Sequence, residues 1–523
     1  MPESSFDKID QEKISSRTKN RIDNFVEHFL PSDSSGVRDE KILHDSIHGT
    51  HKLKKHEIAL IDMPLMQRLR QIRQAAFTYF TFPSATHSRF EHTLGTLFLS
   101  TKLASEINKT QGDYFKDLTN IRIAALMHDC GHGPFSHSSE EIYGYYDDMQ
   151  ELINEEGILK GVSPHEVLSA LIVLSKPFKD FFDKIQEKYS VDCNYDEIAN
   201  CIIGKAPKTH LYATQIINGP FDGDKLDYIY RDGKFTGLPL SIDYDRLWYA
   251  TRVETIDGWR RLTVEFNGVT PIEEIIFSKM VLFSTIYHHH KVRACDCMLK
   301  GICEFVSEHP EIKINGKRIE NATDFLWLTD EHIFTLFYNE DVKNKNAKKD
   351  LRKLVYNLEN RRLLKRALVI SRQTINEASS ENFAGIIKLS EKTKKAKENL
   401  RKLAEEIWKE AGKPCLKQEI WVDLPKLPPT FEVDEIYVRC YSSQSNKKDN
   451  FVRVRDLFSM DTWAKQYGLY KWKGYVFCPE ACISKVAPVA KDLIEKKYSV
   501  KLNRSSLDNC HLSESIVSAV FGK

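Results

Sequence analysis

One stretch constrains this chain more than any other. Residues Ile121-Arg-Ile-Ala-Ala-Leu-Met127 are apolar nearly all round and run directly into His128-Asp-Cys-Gly-His-Gly-Pro-Phe-Ser-His137. A segment that is apolar on every side is a buried, central helix. A His-Asp pair at its end therefore stands where an unpaired charge is costly. A cation shared between His128 and Asp129 removes that cost. The alternative, a hydrogen-bonded core histidine beside a helix-terminal aspartate, accounts for the pair but not for residues 130–137. A glycine-rich turn with two more histidines is poor helix and poor strand, so it has little structural purpose of its own. Imidazole with carboxylate suits manganese, iron or zinc, and carboxylates also admit magnesium.

Histidine is the unusual component, with 18 residues, many of them between 87 and 165. A net charge of +2 excludes a globally basic nucleic-acid binder, although local basic faces remain open. No run approaches the ~18–20 apolar residues of a membrane span, and the first twenty residues are polar without a signal-peptide core. The eleven cysteines are scattered and odd in number, which reads as free thiols in a reducing cytoplasm. The expectation is a cytoplasmic, multidomain globular protein with no membrane partner.

Four regions emerge from the pattern. Residues 1–40 form a polar N-terminal segment, with Pro31-Ser-Asp-Ser-Ser-Gly36 as a linker. Residues 41–300 read as a helical core, in which Leu65, Leu69, Ile72 and Ala76 keep a helical period, as do Leu99, Leu103 and Ile107. Its exception is the strand Arg261-Leu-Thr-Val-Glu-Phe266, ending in the turn signal Asn267-Gly268. Residues 301–412 read as a helical extension. In 413–523, alternation at 419–424, 435–440, 451–454 and 470–477, then a helix over 480–497, predicts a small α+β domain. The fold class is mainly α. Cys295-Asp-Cys297 and Cys478-Pro-Glu-Ala-Cys482 read as buried free cysteines, because no second pair stands at zinc-finger spacing. The basic stretch 343–366 reads as a solvated helix face with Leu351, Leu354, Leu358 and Leu363 toward the core. It is the strongest candidate for contact with nucleic acid or an activating nucleotide, although a nucleic-acid partner is not expected.

Three further segments carry candidate ligands or substrate groups. Arg89-Phe-Glu-His92 offers a guanidinium and an imidazole three apart, on one helix face. Ser163-Pro-His-Glu166 reads as a helix start in which capping explains Ser163, Pro164 and Glu166 but not His165. In Phe221-Asp-Gly-Asp-Lys-Leu-Asp-Tyr-Ile-Tyr-Arg-Asp232, Asp224, Tyr228 and Asp232 fall on one helix face. That spacing fits either a solvated acidic face or a metal ligand joined to sugar and phosphate groups.

Together these segments resemble a known family. His92, then His128-Asp129, then Asp224 matches the H…HD…D signature of HD-domain phosphohydrolases. The match extends through Asp45-Ser-Ile-His-Gly49, Gln67-Arg-Leu-Arg-Gln-Ile-Arg-Gln74, Phe82-Pro-Ser-Ala-Thr-His-Ser-Arg-Phe-Glu-His92, Ile286-Tyr-His-His-His-Lys-Val-Arg293 and Trp421-Val-Asp-Leu-Pro425. It is similar to the branch containing deoxynucleoside triphosphate triphosphohydrolases, with bacterial HD-superfamily phosphohydrolases the nearer relatives.

The resemblance implies a divalent metal on His92, His128, Asp129 and Asp224, polarising a phosphate oxygen and a water. It implies proton transfer by His132, His137, Glu140 and His165. His137 and Glu140 stand three apart, so a helix starting near Ser136 would stack them. Arg89 suits the α-phosphate because its planar fork binds phosphate bidentately. Lys225 and Tyr228 match the phosphate-tail and sugar positions, and Gln74 and Asp232 match those that bind the 3′-hydroxyl. Ala75 stands where some relatives carry a larger residue, and His288 is expected in place of a tyrosine. Further implications are a homo-oligomer and an activating nucleotide. The leading reading is hydrolysis of a dNTP to deoxynucleoside and inorganic triphosphate. The alternatives are an HD-type nuclease or nucleotide phosphodiesterase, and a nucleotide-sensing regulatory module.

Overall fold

In the computed structural model the apolar run lies in the helix Thr119–Met127, with Ile121, Ile123, Ala124, Ala125, Leu126 and Met127 all buried. The structure describes residues 9–10, 14–31, 40–427 except 116, 155, 156 and 392, then 435–440, 450–457, 460–508, 510, 512 and 514–521. Arg89–Gln111 packs beside the central helix, and Gly223–Thr236 packs in turn on Arg89–Gln111. Arg89–Gln111 starts at a capping box between Ser88 and Glu91 and stops at Gly112, whose φ of +90° suits glycine. Gly223–Thr236 starts where Asp222 accepts from the Lys225 N–H at 2.6 Å. These two helices approach very closely: a Cβ on Gly223 would lie 2.1 Å from Ser100 Oγ. Pro164–Leu174 and Tyr195–Ile203 complete the bundle around Thr119–Met127.

Sheet is confined to three small groups among the described residues, and the fold is mainly α, as the sequence predicts. Strands β1 (Lys41–Asp45) and β2 (Gly49–Leu53) form a hairpin. Strands β3 (Thr251–Ile256) and β4 (Trp259–Glu265) form another, extended by β7 (Tyr437–Cys440) and β8 (Asn450–Arg453) in the order β3-β4-β7-β8. Strands β5 (Lys365–Ile370), β9 (Gly474–Cys478) and β6 (Trp421–Asp423) form the third, in the order β5-β9-β6.

Several sequence expectations need correction. Within the polar N-terminal segment, Ser16–His28 is an amphipathic helix that buries Ile22, Phe25 and Val26; residues 32–36 of the expected linker lie outside the described residues. The helix expected through 65–76 is broken into Pro64–Gln67 and the 3₁₀ turns Arg68–Gln71 and Ala76–Phe80, although Leu65, Leu69, Ile72 and Ala76 are all buried. Strand β5 interrupts the region expected to be helical. Residues 470 and 471 end the helix Met460–Lys471, so the last strand begins only at Gly474. Asn267-Gly268 closes a 3₁₀ turn that opens the helix Val269–Leu282. Both larger sheets cross residue 412, where the sequence pattern changes.

All eleven cysteines are unpaired, and Cys295, Cys297, Cys478 and Cys482 are buried. In the basic stretch, Lys345–Glu359 is a helix with Leu351, Leu354 and Leu358 buried. Lys348 and Arg352 pair with Glu340 and Lys353 with Glu419, so part of its positive face is neutralised. No helix among the described residues is long and apolar enough to cross a membrane.

Candidate metal and phosphate site

Three helices bring His92, His128 and Asp224 together. Their ligand atoms lie within 4.8 Å of one another, close enough to share one ion. His92 Nε2 is 2.9 Å from Asp224 Oδ1, and His128 Nε2 is 3.8 Å from the same oxygen. Neither Nε2 has a hydrogen-bond partner, although both residues are buried. Buried ring nitrogens left unsatisfied are costly, and a cation satisfies both at once. The opposite nitrogens are occupied: His128 Nδ1 meets the Ala125 carbonyl at 2.8 Å and His92 Nδ1 meets Asp227 at 2.7 Å. That leaves the two Nε2 lone pairs for a metal. Burial opposes a charge on His92, but Asp224 and Asp227 outweigh it and lift the imidazole to about 10. A metal must therefore displace a tightly held proton.

Asp129 borders this triad. Its Oδ1 is 3.5 Å from His128 Nε2 and 3.4 Å from His132 Nε2, while its Oδ2 accepts from Arg89 Nη1 at 2.6 Å. Burial pushes its carboxyl up, yet Arg89, His128 and His132 hold it well below the usual carboxylate range. Arg89 is itself buried; its Nε donates to Ser136 Oγ at 2.8 Å, and Nη2 has no hydrogen-bond partner. Phe135 and Ser136 both have φ of +54°, a left-handed conformation that costs roughly 1–2 kcal/mol per residue. The turn is held in it by Ser136 Oγ donating to the Arg73 carbonyl and by Asp330 accepting from the Phe135 N–H at 2.6 Å. The glycine-rich turn is thus a strained bracket that fixes Arg89.

The second group is His132, His137, Glu140 and His165, also within 4.8 Å of one another. Glu140 joins two imidazoles: Oε2 meets His137 Nδ1 at 2.6 Å and Oε1 meets His165 Nδ1 at 2.8 Å. The helix His137–Tyr143 supplies the first pair at three-residue spacing, as expected. The helix Pro164–Leu174, opened by the Ser163/Glu166 capping box, presents His165 from its first turn. Burial opposes a charge on His165, but Glu140 outweighs it and raises the imidazole to about 9. His132 stacks on His165 at 4.0 Å, fully buried, with both ring nitrogens unpartnered. Burial, then Arg89 and His165, hold it well below its ordinary value.

The sugar candidates have partners that the sequence does not reveal. Asp232 is buried, with Oδ1 meeting His87 Nε2 at 2.7 Å and Oδ2 accepting from the Tyr287 hydroxyl at 2.5 Å. Tyr287, not His288, therefore supplies the aromatic group beside Asp232. A π turn at Phe283–Tyr287 shifts the register by a residue, and His288 packs on Phe283. Gln74 is buried; its N–H donates to the His87 carbonyl, and its Oε1 has no hydrogen-bond partner. Lys225 Nζ is held by buried Asp222 at 2.8 Å, an interaction absent from the expected phosphate role. Tyr228 lies near Tyr287. Sequence reasoning misses His87, Tyr287, Asp227 and His48 as functional residues. His48 is flanked by the family-like residues Asp45 and Gly49, and Asp227 is hidden in the acidic run.

The chain is similar to known families and proteins. A model of the HD domain matches residues 89–201, and one of the HD associated region matches residues 242–504, half of the chain. An uncharacterized protein of Methanocaldococcus jannaschii is 30% identical over 312 residues, covering 60% of this chain and 59% of that protein. Deoxynucleoside triphosphate triphosphohydrolase SAMHD1 of Homo sapiens is 28% identical over 346 residues, covering 60% of this chain and 54% of its own length. The SAMHD1 homolog of Dictyostelium discoideum is 27% identical over 353 residues, covering 66% and 63%. The chain spans between half and two thirds of the length of these relatives.

Proposed function

We propose that this chain, which belongs to the HD-domain family and carries its HD associated region, hydrolyses deoxynucleoside triphosphates to deoxynucleoside and inorganic triphosphate. The observation that carries the reading is Asp129. It lies 3.5 Å from a histidine of the triad and 3.4 Å from a histidine of the second group, so one carboxylate joins a cation site to a proton-transfer site. The names of the relatives support the substrate class.

A divalent ion on His92, His128 and Asp224, with Asp129 beside them, supplies Lewis-acid polarisation of a phosphate oxygen and lowers the pKa of a water. The protein's own groups do the rest. Arg89, fixed by Asp129 and Ser136, offers Nη2 to a phosphate oxygen. Glu140 orients His137, whose side chain is 64% exposed and can hand a proton to the departing 5′-oxygen. The same glutamate keeps His165 charged. Gln74 Oε1, buried without a hydrogen-bond partner, accepts the one hydrogen bond that a sugar 3′-hydroxyl can donate, with Asp232 as the second sugar candidate.

The reading extends to self-association and to an activating nucleotide. Burial, then the neighbouring charges of Arg366, His289, Lys291 and Lys473, push His290 down to about 3, a concentration of positive charge that an anionic ligand relieves. The deciding assay offers the purified protein, with Mn²⁺ or Mg²⁺, single and mixed dNTPs, NTPs and single-stranded DNA. Inorganic triphosphate from dNTPs is the expected product. Pyrophosphate with a monophosphate, or nucleotides released from DNA, assigns the site to a phosphodiesterase or nuclease, and no turnover assigns it to a sensor.

A further inference from the structure

His92 can serve a cation only if its Nε2 carries the lone pair, and the opposite nitrogen decides that. Nδ1 of His92 meets Oδ2 of Asp227 at 2.7 Å. Asp227 is fully buried and held from three sides. Arg231, four residues later on the same helix, donates from Nε to Oδ2 at 2.8 Å and from Nη2 to Oδ1 at 3.0 Å. His48, from the turn of the β1–β2 hairpin, meets Oδ1 at 2.6 Å. Arg231 is anchored in turn by Asp45 at the end of β1. Across the helix interface stands Gly95, where a Cβ would fall 1.9 Å from Asp227 Oδ1. Only a glycine there lets the carboxylate reach over to His92.

We propose that Asp227 is the positioning residue of His92, fixing its Nδ1–H tautomer and aiming Nε2 at the cation, with His48, Arg231 and Gly95 holding the carboxylate in place. The inference rests on reading His92 as a metal ligand. It gives the Gly223–Thr236 helix two linked tasks: Asp224 supplies a ligand, and Asp227, one turn on, orients the ligand facing it. It also explains the hairpin end, where His48 meets the carboxylate that orients His92 and Asp45 anchors the Arg231 that holds it.

Mn²⁺ titration of metal-stripped protein tests this without substrate, alongside the thermal midpoint of the stripped protein. In Asp227→Asn one acceptor oxygen becomes a donor facing donors, and Mn²⁺ affinity is expected to fall ~10- to 100-fold. His48→Ala leaves the Asp227–Arg231 pair intact, and a several-fold loss is expected. A lower thermal midpoint with wild-type Mn²⁺ affinity in Asp227→Asn makes the carboxylate purely structural and overturns the proposal. Should Asp227→Asn fail to fold, His48→Ala decides, and unchanged affinity there overturns it equally. Wild-type protein that binds no Mn²⁺ removes the metal reading itself, an outcome distinct from wild-type binding with unaffected variants.

Discussion

The two histidine groups are alike in composition and opposite in wiring. Both gather imidazoles and a carboxylate within 4.8 Å, so distance alone would let either hold an ion. In the first, His92 and His128 spend their Nδ1 atoms on Asp227 and a backbone carbonyl and leave both Nε2 atoms unpartnered. In the second, Glu140 engages His137 and His165 at once, and keeps a proton on the latter. The first arrangement suits a cation once His92 gives up its proton. In the second the two imidazoles stay tied to one carboxylate, which suits proton transfer. The mounting differs too. The first group is carried by buried helices of the central bundle, whereas the second hangs from a strained turn and from the first turns of two helices. Hydrogen bonding, not residue type, separates the roles.

The largest effect should come from breaking the first group. Asp224→Ala, or His128→Ala with Asp129→Ala, is expected to abolish both bound metal and turnover. The fold should remain cooperative, because Ile123, Ala124, Ala125 and Leu126 carry the packing of that helix. Elemental analysis showing full metal occupancy in either variant would end the distinction between the two groups.

Breaking the second group should leave the metal in place. His137→Ala is expected to keep metal and substrate affinity while kcat falls ~10²- to 10⁴-fold, the usual worth of a positioned proton donor. An unchanged rate at saturating substrate would transfer that role to His165 or His132.

How far the sequence reveals these groups depends on whether the partners are local. His128-Asp129 is legible because an apolar helix runs straight into it, and His137 with Glu140 because three residues make a helix turn. Asp224 and Asp232 show through their spacing. Partners that meet across long separations leave no such trace. Asp227 to His48 spans 179 residues, and His87 to Asp232 spans 145. The π turn that delivers Tyr287 has no periodic signature, so counting along the chain points one residue too far, to His288. Strand β1 is mostly exposed and polar, and β5 begins with Lys365 and Arg366 in a basic stretch, so neither alternates clearly. The partner of Lys225 is hidden for a related reason: Asp222 is the helix cap, which spacing alone does not distinguish from the other carboxylates.

A third measurement sharpens the comparison by touching neither group. Gln74 and Asp232 belong to neither histidine set, and on the proposed reading a 3′-hydroxyl would satisfy the unpartnered amide oxygen. A 2′,3′-dideoxy substrate leaves it unpaired at a cost of ~1–3 kcal/mol, or roughly 5- to 150-fold in kcat/KM. Asp232→Ala should lose efficiency on dNTPs and also lose this discrimination, with metal content unchanged. If Asp232 and Gln74 hold the sugar as proposed, Tyr287, hydrogen-bonded to Asp232, crowds its neighbouring carbon, and deoxy substrates should be preferred over ribo. Equal kcat/KM for dGTP and GTP, and for dATP and ATP, would mean that the pocket does not read deoxyribose.

The smallest effect is a pH dependence in which the share of Glu140 with His165 can be separated from that of His92, itself raised to about 10. His165 has its imidazole raised to about 9 by Glu140, against an ordinary value of 6.5, and its side chain is only 12% exposed. A folded-state value above the unfolded one means that the pair stabilises the protein fully below about pH 6.5. The contribution is lost as pH rises through about 9. Metal-stripped protein should therefore melt a few degrees lower at pH 10 than at pH 7, beyond the change in His165→Gln. Asp224→Ala should keep the part of the decline that His165→Gln removes, because Glu140 and not Asp224 holds the His165 proton. It should lose only the share of His92, which Asp224 helps to raise to about 10. If instead wild type and His165→Gln lose stability in parallel while Asp224→Ala does not, the titrating proton sits in the first group. The assignment of proton handling to Glu140 and its two histidines would then be reversed.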